Sequence, residues 1–168
     1  MGNIILIGFM GAGKSTIGNR MAKKQHLKFI DTDRLIEDNA GQSIAEIFET
    51  KGESEFRDLE TQLIKSMIEE TDNVLLSVGG GLPMREENRE LLRKLGKVIF
   101  LRIEPKTVIK RLKNDNSRPL LKGANAHIKI VKLLQIRNPV YESIADIVID
   151  VDGKGYNKVI LEIEGRLQ

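Results

Sequence analysis

The stretch of the chain with the clearest chemical capability is Gly8-Phe9-Met10-Gly11-Ala12-Gly13-Lys14-Ser15, followed by Thr16. It fits the pattern G-x-x-x-x-G-K-[ST], in which glycines let the backbone curl so that successive N–H groups point inward at phosphate oxygens. Lys14 has the length and charge to reach the β- and γ-phosphates of a nucleotide, and Ser15 offers a hydroxyl to a Mg²⁺ that bridges them. The nucleotide contacts expected from this motif are Gly11, Ala12, Gly13, Lys14, Ser15 and Thr16. A plain glycine turn would need neither Lys nor Ser at these offsets. A phosphate cradle does not by itself separate a phosphotransferase from a guanine-nucleotide switch or a motor. The guanine signature Asn-Lys-x-Asp is absent, since Asn157-Lys158 is followed by Val159-Ile160.

The elements that must position these residues are legible from periodicity. Asn3 to Ile7 is a short β-branched run, and an amphipathic helix begins at Lys14 with Ile17 and Met21 on one face, so the cradle lies between a strand and a helix. Leu27 to Ile30 reads as a second strand, ending in Asp31-Thr32-Asp33 and its following loop. Ser43-Ile44-Ala45-Glu46 has capping-box spacing, and Gly52 separates a short helix from a longer one carrying Phe56, Leu59, Leu63 and Met67. Val74 to Val78, Val98 to Leu101 and Ile147 to Val151 are further strands, the first of them running into Gly79-Gly80-Gly81. Pro105 opens a helix, and another runs to about Glu142. The pattern breaks into Asn, Asp, Ser, Pro and Gly between Asn114 and Asn125, which marks a candidate lid. Short apolar strands alternating with helices predict an α/β fold, a parallel sheet covered on both faces.

Composition narrows the function classes. The chain has 168 residues, 40% of them hydrophobic, enough for one core and hence one domain over 1–168. Lys plus Arg number 27 against 24 Asp plus Glu, and no run of five or six like charges occurs, which argues against nucleic acid as the partner. A distributed excess of Arg and Lys suits ligands that carry phosphates and carboxylates. With no Cys, disulfides and thiolate chemistry are excluded, and a reducing, cytoplasmic setting is expected. The N-terminal residues show no basic region or cleavage site, and no run is long enough to span a bilayer, so no membrane association is expected. His26 and His127 lack metal-ligand spacing and read as surface residues.

Beyond the cradle, Asp31-Thr32-Asp33, Phe56-Arg57, Gly79-Gly80-Gly81, Arg118-Pro119-Leu120-Leu121 and Arg137-Asn138-Pro139-Val140-Tyr141 occur in the order found in shikimate kinases, which the chain resembles nearly end to end. The resemblance implies a three-layer P-loop kinase fold with a five-stranded parallel sheet in the order 2-3-1-4-5, similar to nucleoside monophosphate kinases. It also implies a substrate-binding segment near 33–60 and a lid near 114–125. The activity implied is transfer of the γ-phosphate of ATP, with Mg²⁺, to the 3-hydroxyl of shikimate in aromatic amino-acid biosynthesis, by a monomer whose partners are those two small molecules.

Residue by residue, the resemblance assigns the acceptor hydroxyl to Asp33, and the substrate's carboxylate to Arg57 and Arg137. It gives close backbone approach and free N–H donors to Gly79, Gly80 and Gly81, and it implies that Arg118 reaches the phosphates from the lid. Catalysis would then fall to Asp33, Lys14 and Arg118. Arg111 would stack on adenine, and Asp31 would join Ser15 in the Mg²⁺ shell, since no Asp ends the third strand. The proline often present in the last adenine-contacting loop is missing. Read without the resemblance, Asp31 also suits a helix cap and Gly79 to Gly81 an exit from the sheet. Arg57 could instead join Glu53 and Glu60 in an exposed ion-pair cluster, and Arg111, Arg118 and Arg137 could be surface side chains. Phe48 and Phe56 read as core rather than pocket wall. Two other activities fit the same motifs, another small-metabolite kinase such as a gluconate kinase and a nonenzymatic nucleotide-binding domain.

Overall fold

A computed structural model gives the fold, and describes residues 2–113, 123 and 125–168. Five parallel strands form one sheet: β1 (Ile4–Ile7), β2 (Lys28–Asp31), β3 (Val74–Ser77), β4 (Lys97–Arg102) and β5 (Ile147–Asp150), in the order β2-β3-β1-β4-β5. The expected order is the observed one. The helices are α1 (Lys14–Gln25), α2 (Thr32–Ala40), α3 (Ile44–Glu70), α4 (Glu86–Leu95), α5 (Pro105–Leu112), α6 (Ala126–Ile144) and α7 (Tyr156–Leu167), with a 3₁₀ turn at Leu82–Met84. The candidate lid, including Arg118, lies outside the described residues apart from Gly123 and Asn125.

Alternation of side chains along β1 divides the core between the two faces of the sheet. Ile4 and Leu6 pack with Ile17 and Met21 of α1 and Val159 and Ile163 of α7. Ile5 and Ile7 pack with Ile64 of α3, Leu92 of α4 and Tyr141 of α6. All four residues of β1 are buried, as befits a central strand covered on both faces. β1 lies between β3 and β4, and the strand order reverses beside it, so a crevice opens between the ends of β1 and β3. The register sets Ser77 opposite both Leu6 and Asp31, which brings the C-terminal ends of β1, β2 and β3 level with one another. The cradle leaves from the first of these ends, Asp33 follows the second and the triple glycine follows the third.

Two local readings need correction. No loop follows β2: the strand runs through Asp31 directly into α2, because Asp31 Oδ1 accepts hydrogen bonds from the N–H groups of Asp33 (3.2 Å) and Arg34 (3.3 Å) and so starts the helix itself. β3 stops at Ser77, so Val78 already belongs to the turn.

The capping box is present as expected, with Glu46 N–H donating to Ser43 Oγ at 3.2 Å and Ser43 N–H to Glu46 Oε2 at 2.7 Å. Gly52 interrupts α3 with φ 85° and ψ 169°, a conformation open essentially to glycine alone. The break turns the short segment carrying Phe48 against the longer one carrying Phe56 and Arg57, and Ile36, Ile47 and Phe56 close a small third core beneath them. A Cβ at Gly52 would meet no neighbour, so the cost of Gly52→Ala is conformational and not steric. Gly52→Ala should therefore lower the unfolding free energy by about 1–3 kcal/mol, read from urea denaturation midpoints, and a midpoint equal to wild type would mean that the break imposes no strain on alanine.

Candidate active site

Gly13 is the N-cap of α1 in the left-handed region, φ 92°, and no side chain caps the helix. The first N–H groups of α1 and its positive dipole end are left for an anion. Lys14 folds back over the loop, its Nζ donating to the carbonyls of Gly8 at 2.8 Å and Phe9 at 3.1 Å. That fixes the ammonium at the mouth of the cradle. Ala12 is wholly buried and its N–H donates to the Phe9 carbonyl at 3.2 Å, so it is not open to a ligand here, while the half-buried Gly11 and Gly13 can serve one through their backbone alone. Arg111 of α5 donates from Nη1 to the Gly11 carbonyl at 2.7 Å, and its guanidinium stands 5.8 Å from the centre of the Tyr156 ring. Arg111 is thus joined to the phosphate loop and is not a free surface arginine. Tyr156 lies against the same loop: a Cβ on Gly13 would come within 2.9 Å of its ring.

Ser15, Asp31 and Ser77 converge at the strand ends. Ser15 Oγ donates to Asp31 Oδ2 at 2.7 Å and lies 3.3 Å from Ser77 Oγ. The two oxygens of Asp31 divide the readings that the residue types left open: Oδ1 caps α2 while Oδ2 faces Ser15. A hydroxyl, a carboxylate oxygen and a second hydroxyl are hard oxygen donors of the kind Mg²⁺ takes, together with waters and phosphate oxygens. No group of three His, Cys, Asp or Glu side chains that could hold a metal unaided occurs among the described residues.

The turn Gly79-Gly80-Gly81 brings the remaining polar groups together. A Cβ on Gly79 would lie 2.5 Å from Asp33 Oδ1 and 3.2 Å from Glu60 Oε1. At Gly80 it would lie 3.2 Å from Arg137 Nη1 and 3.3 Å from the Tyr141 hydroxyl, and at Gly81 it would overlap the Arg57 guanidinium. The absent side chains make room for charged groups from three other elements: Asp33 of α2, Arg137 of α6, and Arg57 and Glu60 of α3. The N–H of Gly79 is not open to a ligand, because it donates to the buried Thr32 Oγ1 at 3.1 Å.

Tyr141 donates its hydroxyl to the Gly80 carbonyl at 2.5 Å, and burial pushes its pKa up to about 12, so it stays neutral. It sits one helical turn beyond Arg137, whose guanidinium also lies 5.7 Å from the Phe9 ring centre.

Arg57 does pair with Glu53 and Glu60, but only the Glu53 side of the cluster is exposed. Nη1 meets Glu60 Oε2 at 2.6 Å and Nη2 meets Glu53 Oε1 at 3.4 Å, with Glu60 only 1% accessible and Glu53 68%. Oε1 of Glu60 has no hydrogen-bond partner. Burial raises the Glu60 pKa to about 7, with Asp33 pushing the same way and Arg57 and Arg85 opposing.

Lys14, Ser15, Thr16, Asp31, Asp33, Arg57, Gly79, Gly80, Gly81 and Arg137 all line one cleft of about 1000 Å³. Of the candidate residues, Arg118 alone lies outside the described residues. Phe56 is at once core and wall: it is 4% accessible yet borders the cleft beside Phe48, with ring centres 5.0 Å apart. Three further residues of the site escaped sequence reasoning. Ser77 carried a signal in its place at the end of β3, and Tyr141 in its spacing from Arg137. The spacing of Glu60 from Arg57 showed the ion pair but not the burial. His26 and His127 are exposed, as expected.

The shikimate kinase family model matches residues 10–168. A curated shikimate kinase of Pseudomonas syringae pv. tomato is 44% identical over 99% of this chain and 96% of its own length. Among solved structures, the shikimate kinase of Acinetobacter baumannii in complex with shikimate superposes with a TM-score of 0.92 at 34% identity, covering 99% of this chain and 93% of that one. A deoxyadenosine kinase from M. mycoides shares the fold alone, with a TM-score of 0.63 and 20% identity over 98% of each chain. With a cradle, three aligned strand ends and one glycine turn surrounded by Asp33, Arg57 and Arg137, this chain belongs to the shikimate kinase family.

Proposed function

We propose that this chain is a shikimate kinase, transferring the γ-phosphate of ATP to the 3-hydroxyl of shikimate to give shikimate 3-phosphate and ADP. The observation that carries the reading is the meeting of the Lys14 cradle with Asp33, Arg57 and Arg137 in one cleft, in a chain of this family. Phosphoryl transfer of this kind asks the protein for alignment and charge stabilisation more than for covalent chemistry. Asp33, in the first turn of α2, accepts a hydrogen bond from the acceptor hydroxyl, aligns it with the phosphate and takes its proton late. Arg57 and Arg137 grip the carboxylate through planar N–H pairs, which fixes which hydroxyl of the ring faces Asp33. Lys14 and the first N–H groups of α1 hold the β- and γ-phosphates. Arg111 and the neighbouring Tyr156 border the loop on the nucleotide side, and Arg118 reaches in from the lid as charge develops.

The residues suited to Mg²⁺ are Ser15 and Asp31, with Ser77 beside them, and the ion when bound neutralises phosphate charge. One chain carries every group named, which supports a monomer, and the lack of cysteine supports a cytoplasmic setting.

A coupled assay of ADP release with MgATP tests the reading, with shikimate, gluconate, a nucleoside monophosphate or no acceptor run in parallel. Release that depends on shikimate is expected, and faster release with gluconate overturns the substrate. Asp33→Asn should lower kcat by about 10²- to 10⁴-fold with little change in the KM for ATP, and a wild-type kcat would remove Asp33 from the chemistry. Gly81→Ala separates folding from function, because the atoms its Cβ would displace are the flexible end of Arg57. The variant should melt close to wild type while its KM for shikimate rises about 10- to 100-fold and that for ATP stays constant, and an equal rise in both constants would contradict the role of Arg57.

A further inference from the structure

Glu60 lies behind the cleft and does not line it. It is 1% accessible, its Oε2 is 2.6 Å from Arg57 Nη1, and its Oε1 has no partner although it faces the Gly79 turn. The charged and titratable groups around it are Arg57 on its own helix, Asp33 on α2, Arg85 ahead of α4, and Arg137 and Tyr141 of α6 across the Gly80 turn. Arg85 is engaged by Asp58 at 2.7 Å, Tyr141 is neutral, and Glu53 on the outer side of Arg57 is in water. Among the described residues the balance around the turn is therefore two half-buried guanidiniums, Arg57 and Arg137, against the half-buried Asp33 and the buried Glu60. A carboxylate substrate seated on Arg57 and Arg137 adds a third negative charge to that set. Two carboxylates sharing one guanidinium out of water cannot both remain ionised cheaply. The substrate's carboxylate gains N–H donors from both arginines, whereas Glu60 has a single hydrogen bond and an oxygen with none.

We infer that Glu60 is a positioning residue that takes up a proton as the substrate's carboxylate binds Arg57, releasing the charge of that arginine to the substrate. The inference rests on the proposed reading of Arg57 as a carboxylate-binding residue. A carboxyl already raised to about 7 in the free protein supports it. The proton comes from solvent and ends on the Glu60 carboxyl, which still accepts the Arg57 N–H through its carbonyl oxygen, so Arg57 keeps its place.

The sign follows from linkage. Below pH 7 Glu60 is already protonated and binding takes up little, while above pH 7 the free protein must acquire the proton and affinity for shikimate falls as pH rises.

The test is calorimetric titration of shikimate into the full chain, in two buffers of different ionisation enthalpy, at pH 6 and pH 8. Uptake should approach about one proton per shikimate at pH 8 and fall to about a tenth at pH 6. The KM for shikimate should rise by up to about tenfold per pH unit above neutrality while the KM for ATP does not follow it. Glu60→Gln, which keeps the hydrogen bond to Arg57, should abolish the uptake and flatten the KM profile. A merely structural Glu60 would move neither. If Glu60→Gln does not fold, the methyl ester of shikimate supplies the contrast on wild-type protein, with uptake for the acid and none for the ester. Binding of shikimate without proton uptake at pH 8, or equal uptake in Glu60→Gln or with the ester, overturns the inference alone. No binding of shikimate at either pH overturns the substrate reading and the inference with it.

Discussion

Three missing side chains at the end of β3 govern where the charged groups of this protein can stand. Gly79, Gly80 and Gly81 leave room that is taken by the Asp33 carboxylate, by the Arg137 guanidinium with the Tyr141 hydroxyl, and by the Arg57 guanidinium. Those groups come from three different helices, so the turn acts as a common reference surface against which α2, α3 and α6 are aligned. Hydrogen bonds hold the carbonyls of the turn in place, the Leu82 N–H donating to that of Gly79 at 3.1 Å and the Tyr141 hydroxyl to that of Gly80 at 2.5 Å. A site that depends on alignment benefits from being built on regular elements whose ends are held in this way.

The parallel sheet supplies the second constraint. Because β1 and β3 are neighbours whose crossovers go to opposite sides, the cradle after β1 and the glycine turn after β3 are adjacent. The edge strand β2 adds Asp31 at the same height. One carboxylate there does two jobs, since an oxygen that caps α2 cannot swing away from the oxygen that meets Ser15. The helix start and the candidate metal shell are therefore mechanically joined, and with them the position of Asp33 two residues on.

Burial of charge is where the site departs from what a stable core would choose. Glu60 sits at 1% accessibility with an unpartnered oxygen, a costly arrangement for a fold of this size. Its presence beneath Arg57 follows from function more readily than from packing, because an apolar residue there would remove the penalty and leave Arg57 without a buried acceptor to hold its fork in plane.

Much of this protein was determined by local sequence. The glycine spacing and Lys14-Ser15 define a phosphate cradle because backbone conformation and side-chain reach are local properties. Strand and helix order follows from apolar periodicity, and Ser43 and Gly52 mark their helix boundary and break through chemistry confined to a few residues. The ordered motifs sufficed to identify the family, and the resemblance singled out Asp33, Arg57 and Arg137, which the structure brings into one cleft. What the tertiary structure decided was which residues are dry and which atoms share space. Glu60 and Glu53 have similar helical spacing from Arg57, yet one is buried and the other in water, because only the packing of α3 against the Gly79 turn distinguishes the two sides of the helix. Ser77 joined Ser15 through strand register, Arg111 joined Gly11 across a separation of 100 residues, and Asp31 replaced an expected loop with a helix cap. The Ser77 and Arg111 contacts depend on distances between segments remote in sequence, which composition and periodicity do not encode, whereas the Asp31 cap is local and the tertiary structure only decided that its other oxygen faces Ser15.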